Sequence, residues 1–593
     1  MSQKFENMLN LSLETPEGVR EESDSLNVGF DNETRSWELI VKYHGSLDEL
    51  IPQGIRVEYL IAGYAILTVP ENRVDLVAAL EEVEYVEQPK RFYYEQIPPA
   101  GEDCVQLVTR REPFLTGRGV LLAVLDSGID YRRADFRRTD GDTRIRFLWD
   151  QTLQREFDEE QINRALRAET DAERMEWMPS FDVSGHGTAV TGIAAGRSVE
   201  EGYTGIAPEA ELLIVKLGVP DAYGFPRTTE VMRGVTYALR KAAELQMPLV
   251  INLSFGNSYG PHDGSALLER FLDNAAEIGR TVICVGSGNE GNAAGHLAGR
   301  ISENAQGIQM DGVSIEGVDV TPSIAVVELA VANYERSLSI QLWKNYSDEY
   351  SIRLRSPGGV EQELPANIRQ GKYTLRMEQT EILIYFGEPT PYSVAQEIYL
   401  ELLPAEGIYI NSGVWTFFLE AERVVTGQYY FYLPDSAVRN RGTGFFRPTP
   451  EVTLTAPSTA AKVITVGAYN PVFDAYADFS GRGYADRDRT IGVITAGLVK
   501  PDLVAPGVDI AAPDLFGGYT AVTGTSFATP IVSGSAALLM EWGIVRGNDP
   551  YLYGEKVKAY LRKGARPLRG EREVPNDRVG FGAVCVSDSI PRG

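Results

Sequence analysis

The chain has 593 residues, 43% of them hydrophobic and 23% charged, which fits a folded protein with room for several domains. Its 83 acidic residues against 56 basic ones leave a formal charge of −27, which argues against nucleic-acid binding and for a dispersed, solvated surface. Three cysteines, Cys104, Cys284 and Cys585, are too few and too scattered for a disulfide framework or a zinc cluster, and they suit a reducing compartment.

Residues 1–36 are polar and acidic, with Glu21, Glu22 and Asp24 close together, and are expected to form a mobile leader. The first ten residues lack a basic stretch followed by an apolar core, so no signal peptide is expected. The protein is then expected to be made in the cytoplasm and to stay there. No run of 18 apolar residues predicts a membrane span. From residue 37 the pattern changes. Segments 37–43, 57–60, 65–69 and 83–86 read as strands, and 47–50 and 74–80 as helices. The order β-α-β-β-α-β predicts a small ferredoxin-like domain within 37–100.

A larger α/β pattern starts near residue 101. The apolar run 121–126 reads as a buried parallel strand that ends in Asp126, and functional carboxylates of such sheets collect at strand C-terminal ends. His186 stands between Gly185 and Gly187 as a small-residue helix begins, over 189–195. The chain has only four histidines, His44, His186, His262 and His296, and one alone is more often structural. Alternating segments at 212–217, 231–245, 249–253, 271–278 and 281–285 predict a parallel sheet with helices on both faces. Cys284, in the last of these, reads as a small core residue.

Between about 300 and 450 the pattern is β throughout, with strands expected at 324–332, 338–343, 350–355, 373–377, 381–386, 397–402, 414–420 and 429–433. Their alternation and aromatic content predict a β-sandwich of jelly-roll type. The α/β pattern resumes at 463–469, so this domain is an insertion, expected to stabilise the protein or contact a partner. Near the end, Gly524-Thr525-Ser526 precedes an apolar helix over 531–542, with Pro530 expected in its first turn. A hydroxyl there meets a helix N-terminus that favours developing negative charge. By itself the tripeptide reads equally well as an ordinary cap.

Asp126, His186 and Ser526, in that order and with the residues around each, resemble the subtilisin family of serine proteases. Three further segments strengthen the resemblance: Gly288-Asn289-Glu290-Gly291, Asn252-Leu253-Ser254-Phe255-Gly256 and Lys500-Pro501-Asp502-Leu503-Val504-Ala505-Pro506-Gly507. The resemblance implies a catalytic triad of Asp126, His186 and Ser526, with Asn289 and the Ser526 N–H as oxyanion donors. It also implies a substrate cleft lined by Ser254, Phe255, Gly256 and Gly286. Many relatives carry a second histidine three positions after the first, where this chain has Ala189. No cofactor is implied, while calcium held by scattered oxygens is compatible with the family.

The short first domain resembles the intramolecular chaperone prodomain of subtilisins. An export signal absent, a short prodomain and a β-sandwich insertion together resemble the Csp germination proteases of clostridial spores. The fold class implied is a subtilisin-like parallel sheet flanked by helices, with a ferredoxin-like prodomain and an inserted sandwich. The domains are then a leader (1–36), the prodomain (37–100), the core (101–300 and 453–593) and the insertion (301–452). The resemblance implies a prodomain that stays bound after self-cleavage, residence in the spore, and a zymogen cortex-lytic enzyme as protein substrate. Two rival functions are a signalling pseudoprotease and a general intracellular subtilisin. Residues 91–96 are long enough to run extended into the cleft beside 254–256, and 97–101 read as a linker. The bond expected to be cut lies between Gln96 and Ile97.

Overall fold

The computed structural model describes residues 2–23, 25–92, 113–197, 204–218, 226–302, 323–364, 371–484, 498–571 and 573–591. Cys104, Gln96 and Ile97 lie outside them. Among the described residues, the central sheet holds seven parallel strands and two short antiparallel ones, Arg155–Asp158 and Ala475–Tyr476. The order of the parallel strands is Leu503–Pro506, Ile464–Asn470, Thr281–Gly286, Leu249–Leu253, Leu121–Asp126, Glu211–Lys216 and Ile145–Asp150. These strands read as unbroken apolar runs because both faces of the sheet are covered. Successive side chains point to opposite faces: Leu122 and Val124 enter one core, Leu121, Ala123 and Leu125 the other.

The first of those cores holds the helices His186–Ala195 and Thr525–Met540, and the second holds Thr228–Leu245 and Leu267–Ala276. The helical stretch Thr525–Val545 is long and apolar enough to cross a membrane, but 83% of its most apolar window is buried inside the protein. Its small residues explain the fit: a Cβ added at Gly534 would lie 2.5 Å from Cβ of Ile206.

The prodomain sheet runs Arg56–Tyr59, Tyr64–Pro70, Ser36–Tyr43, Val83–Glu87, all antiparallel, which is the ferredoxin-like order. It stands on two core helices. Glu38 accepts from Arg233 (2.6 Å), Arg227 (3.1 Å) and the Thr229 hydroxyl (2.8 Å). Glu87 accepts the Leu267 N–H (3.1 Å) at the first turn of its helix, where a carboxylate is favoured.

The acidic start of the chain is packed, contrary to the mobile leader expected. Helices Asn7–Glu14 and Glu17–Arg20 form there. Phe5 and Leu9 complete the prodomain core, while Met8 and Leu11 meet Leu383, Tyr385, Tyr399 and Leu403 of the inserted domain. Arg20 is buried beneath Phe30, 4.2 Å from its ring, and donates to Asn27 (3.0 Å) and Glu71 (3.3 Å). Net charge misled the reading, because the few apolar residues of this stretch all face inward.

The insertion is a two-sheet antiparallel sandwich. One sheet holds His296–Arg300, Gln428–Tyr432, Leu338–Asn345, Ala395–Pro404, Thr380–Phe386 and Gly371–Met377. The other holds Glu361–Leu364, Glu349–Arg355, Gly413–Arg423, Ile324–Val331 and Gly444–Phe445. Every segment expected to be a strand forms one. The charged edge Glu361–Leu364 and the short boundary strands His296–Arg300 and Gly444–Phe445 lacked an alternating pattern and were not anticipated.

Where sandwich and core meet, His262 stacks on Tyr432 at 3.8 Å and His296 stacks on the same ring at 4.4 Å. The His262 ring nitrogens face the carbonyls of Leu454 (2.7 Å) and Ser258 (3.2 Å). Burial pushes His262 down to about 4 and His296 to about 3. Both are therefore neutral when folded and protonate more readily when unfolded, near 6.5. Their contribution to stability is full above about pH 6.5 and is lost as the pH falls toward 4. Melting temperature should drop across that window. His262→Gln should melt lower than wild type at pH 8 but decline less steeply from pH 6.5 to 4. Parallel declines in the two proteins would refute this role.

Candidate active site

Asp126 ends the central strand, and its Oδ1 lies 2.7 Å from His186 Nδ1, with the two side chains 1% and 0% exposed. Asp126 also accepts the Ser127 N–H at 2.7 Å. The histidine sits at the first residue of its helix because Asp182 caps that end. Asp182 accepts the N–H groups of Gly185 and Thr188, both at 2.9 Å. Gly185 turns the chain at φ 78°, a conformation that favours glycine. Gly187 is needed for proximity: a Cβ there would lie 2.2 Å from the Gly128 carbonyl oxygen, on the loop leaving Asp126.

Ser526 is the second residue of its helix and is buried. Pro530 falls at the sixth helical position, beyond the first turn expected for it. Its missing N–H frees the Ser526 carbonyl, which a helix would otherwise satisfy from four residues ahead. The Ser254 hydroxyl takes that place, donating to the Ser526 carbonyl at 2.8 Å. In return the Ser526 hydroxyl donates to the Ser254 carbonyl at 2.8 Å. Ser254 thus stands behind Ser526. The His186 ring lies 5.3 Å from that of Phe527, next to Ser526.

Asn289 follows the strand Thr281–Gly286 and accepts the Thr525 N–H on Oδ1 at 3.0 Å. With its oxygen so engaged, the amide N–H groups are left to serve as donors beside Ser526. Phe255, Gly256, Gly286, Gly288, Asn289, Thr455, Thr525 and Ser526 line a small, open pocket. Its walls are glycines, and a Cβ at Gly256 would lie 2.2 Å from Thr455 Oγ1. Thr455 was not anticipated. It follows the insertion, and its buried hydroxyl has no hydrogen-bond partner among the described residues. The only hint in the sequence was its position, where the α/β pattern resumes.

The prodomain reaches this cleft. Arg91 pairs antiparallel with Arg227, Phe92 N–H donates to the Pro226 carbonyl (2.8 Å), and Asn257 donates to the Arg91 carbonyl (3.1 Å). The Phe92 ring is fully buried, 4.9 Å from the Phe255 ring. Residues 90–92 are therefore bridged through the main chain to 226–228, not to 254–256 as expected, with the Asn257 side chain on Arg91. The rest of the stretch expected to run extended, 93–96, lies outside the described residues.

Such a site can carry out acyl transfer. A serine at a helix start, a histidine held in one tautomer by a buried carboxylate, and an amide lining the same pocket as the serine are the parts required. Among the described residues no three His, Cys, Asp or Glu side chains are grouped to hold a metal ion.

Comparison with known proteins agrees with this geometry. Residues 3–90 match the Csp protease B prodomain, and residues 117–361 and 439–582 match the subtilase family. A solved structure, that of the Clostridium perfringens CspB protease, is 32% identical with a TM-score of 0.73, covering 82% of this chain and 95% of that one. The minor extracellular protease Vpr of Bacillus subtilis (strain 168) is 22% identical over 568 residues, 90% of this chain and 60% of Vpr. Subtilisin E of the same organism is 28% identical over 240 residues, 40% of this chain and 52% of that protein. The chain thus spans about half to 60% of the length of these curated relatives. With more than half of its length under one family match, the chain belongs to the subtilase family and carries a Csp protease B prodomain.

Proposed function

We propose that this chain is a serine endopeptidase that cleaves its own prodomain, keeps it bound, and then activates a zymogen cortex-lytic enzyme during spore germination. The observation that carries the enzymatic part is the 2.7 Å Asp126–His186 contact at the mouth of the helix bearing Ser526. For attack, the Ser526 hydroxyl turns from the Ser254 carbonyl to the imidazole, which takes its proton and later delivers it to the leaving amine. Asp126 stabilises the charged imidazole. The Asn289 amide and the Ser526 N–H take up the charge on the substrate oxygen. A pseudoprotease would not need this set of groups, which is complete here.

The germination role rests on the likeness to the CspB protease and on the prodomain match. Self-cleavage is supported by the seated tail. Phe92 is four residues before Gln96, ~13 Å of extended chain at about 3.3 Å per residue, a reach suited to carry a scissile bond toward Ser526. The Thr455 hydroxyl in the adjoining pocket suits a neutral amide side chain such as that of Gln96.

Ser526→Ala should leave the purified chain full length and folded, whereas wild type is cut into two fragments that co-purify and resolve only on denaturation. A variant that still processes itself would overturn the assignment. Asn289→Ala should keep the fold and lower kcat by about 10²–10³, the cost known for this donor from subtilisins themselves. N-terminal sequencing of the mature fragment should give Ile97. A start before Phe92 or beyond Gly101 would rule the placement out. Wild type should cut a purified zymogen cortex hydrolase once while leaving casein largely intact. Broad casein degradation would favour a general protease.

A further inference from the structure

The oxyanion donor lies on a segment whose flanks are bonded to the core through the main chain. Ser287 N–H donates to the Val466 carbonyl (2.9 Å), Gly481 N–H to the Gly288 carbonyl (2.8 Å), and Gly291 N–H to the Phe479 carbonyl (2.9 Å). Between these anchors, Asn289 and Glu290 are held through their side chains. Asn289 is held by the serine helix, through Thr525. Glu290 is held by the inserted sandwich.

The sandwich contact is specific in direction. Glu290 Oε1 accepts the main-chain N–H of Ser436 at 3.0 Å and also its hydroxyl, and Oε2 lies 3.3 Å from Arg439 Nη2. The side chains of Arg439 and Glu290 are only 3% and 6% exposed. The same guanidinium donates to the carbonyls of Pro434 (2.6 Å), Thr443 (2.7 Å) and Ala293 (3.2 Å). Residues 434–443 form the loop between the sandwich strands Gln428–Tyr432 and Gly444–Phe445. A buried ion pair is a poor device for stability alone, since an apolar contact of similar volume does as well or better. What it adds is orientation. A planar fork with several fixed acceptors admits one arrangement of the segments it joins. The segment it fixes begins one residue after Asn289.

We infer that Arg439 is a positioning residue for acyl transfer: through Glu290, the inserted sandwich holds the peptide unit that follows Asn289 and keeps its amide aimed at the oxyanion. This rests on the serine-endopeptidase reading above. Oxyanion donors act only within a narrow range of geometry, so a small rotation at Asn289 weakens the transition state while leaving substrate binding intact.

The test is a mutant cycle on the full chain, with kcat and KM measured on an anilide of its own proposed cleavage sequence, Tyr93-Tyr94-Glu95-Gln96, and melting temperature recorded alongside. Arg439→Met should lower kcat about tenfold with KM changed by less than about twofold, and Arg439→Lys should recover part of the loss. In an Asn289→Ala background the same Arg439→Met change should cost less than about twofold, because the donor it positions is gone. A merely structural role would give the same loss in both backgrounds. The inference is overturned if Arg439→Met keeps kcat within about twofold of wild type, or if its loss is undiminished beside Asn289→Ala. Should Arg439→Met not fold, Ser436→Ala enters the same cycle; it removes one donor to Glu290 and leaves the ion pair in place. A loss confined to the Asn289 background then supports the inference, and no loss or an equal loss overturns it. If wild type does not turn over the anilide, the endopeptidase reading fails and takes this inference with it.

Discussion

A carboxylate and an imidazole 2.7 Å apart, both out of water, are the contact around which this molecule is arranged. Taken singly, each is a liability: a buried charge or an unsatisfied ring destabilises the fold unless it is paired. Pairing requires the end of a central strand and the start of a helix to come closer than side chains normally allow. Gly187 permits that approach, and Asp182 fixes the helix end from which His186 emerges. The parallel sheet supplies the geometry, since its strands end together at one edge and the helices that follow start there.

Ser526 is placed by a related exchange. A proline within the helix costs one main-chain hydrogen bond, and here the vacated acceptor belongs to Ser526 itself. Ser254 fills it and at the same time receives the Ser526 hydroxyl, so the two serines hold each other across the cleft floor. The strand segment that lines the substrate cleft and the helix that carries the nucleophile are thereby locked in register. The defect in the helix becomes the joint between binding and chemistry.

Asp126, His186 and Ser526 were legible as candidates because each sits in a short run of small residues whose spacing answers a local demand: glycines flanking His186, Gly524 before the serine helix, the acid closing an apolar strand. Strands of the sandwich were legible from alternation alone. Harder to read were features that depend on distant partners. The acidic leader hid Met8, Leu9 and Leu11, whose burial needs the sandwich and the prodomain sheet at once. Thr455 becomes part of the pocket only because the chain returns from the insertion beside Gly256 and Gly288. Pro530 looked like a first-turn residue because the sequence does not show that the helix starts as early as Thr525.

The place of the insertion gives these observations a common cause. The chain leaves the core just after Asn289 and re-enters just before Thr455, so the sandwich is spliced between an oxyanion donor and a wall of the adjoining pocket. A domain joined there cannot be mechanically neutral. Its docking is settled by the His262–Tyr432–His296 stack, by Glu290 and Arg439, and by the leader helices, which pack farther along the same sheet that carries Tyr432. All of these contacts are buried, and the ring stack and the ion pair are directional as well, so the sandwich has one seat. Because the leader is continuous with the prodomain, the sandwich that grips Glu290 also packs against the prodomain's own chain. Loosening either contact would therefore be felt at the cleft, where the tail through Phe92 lies against Phe255.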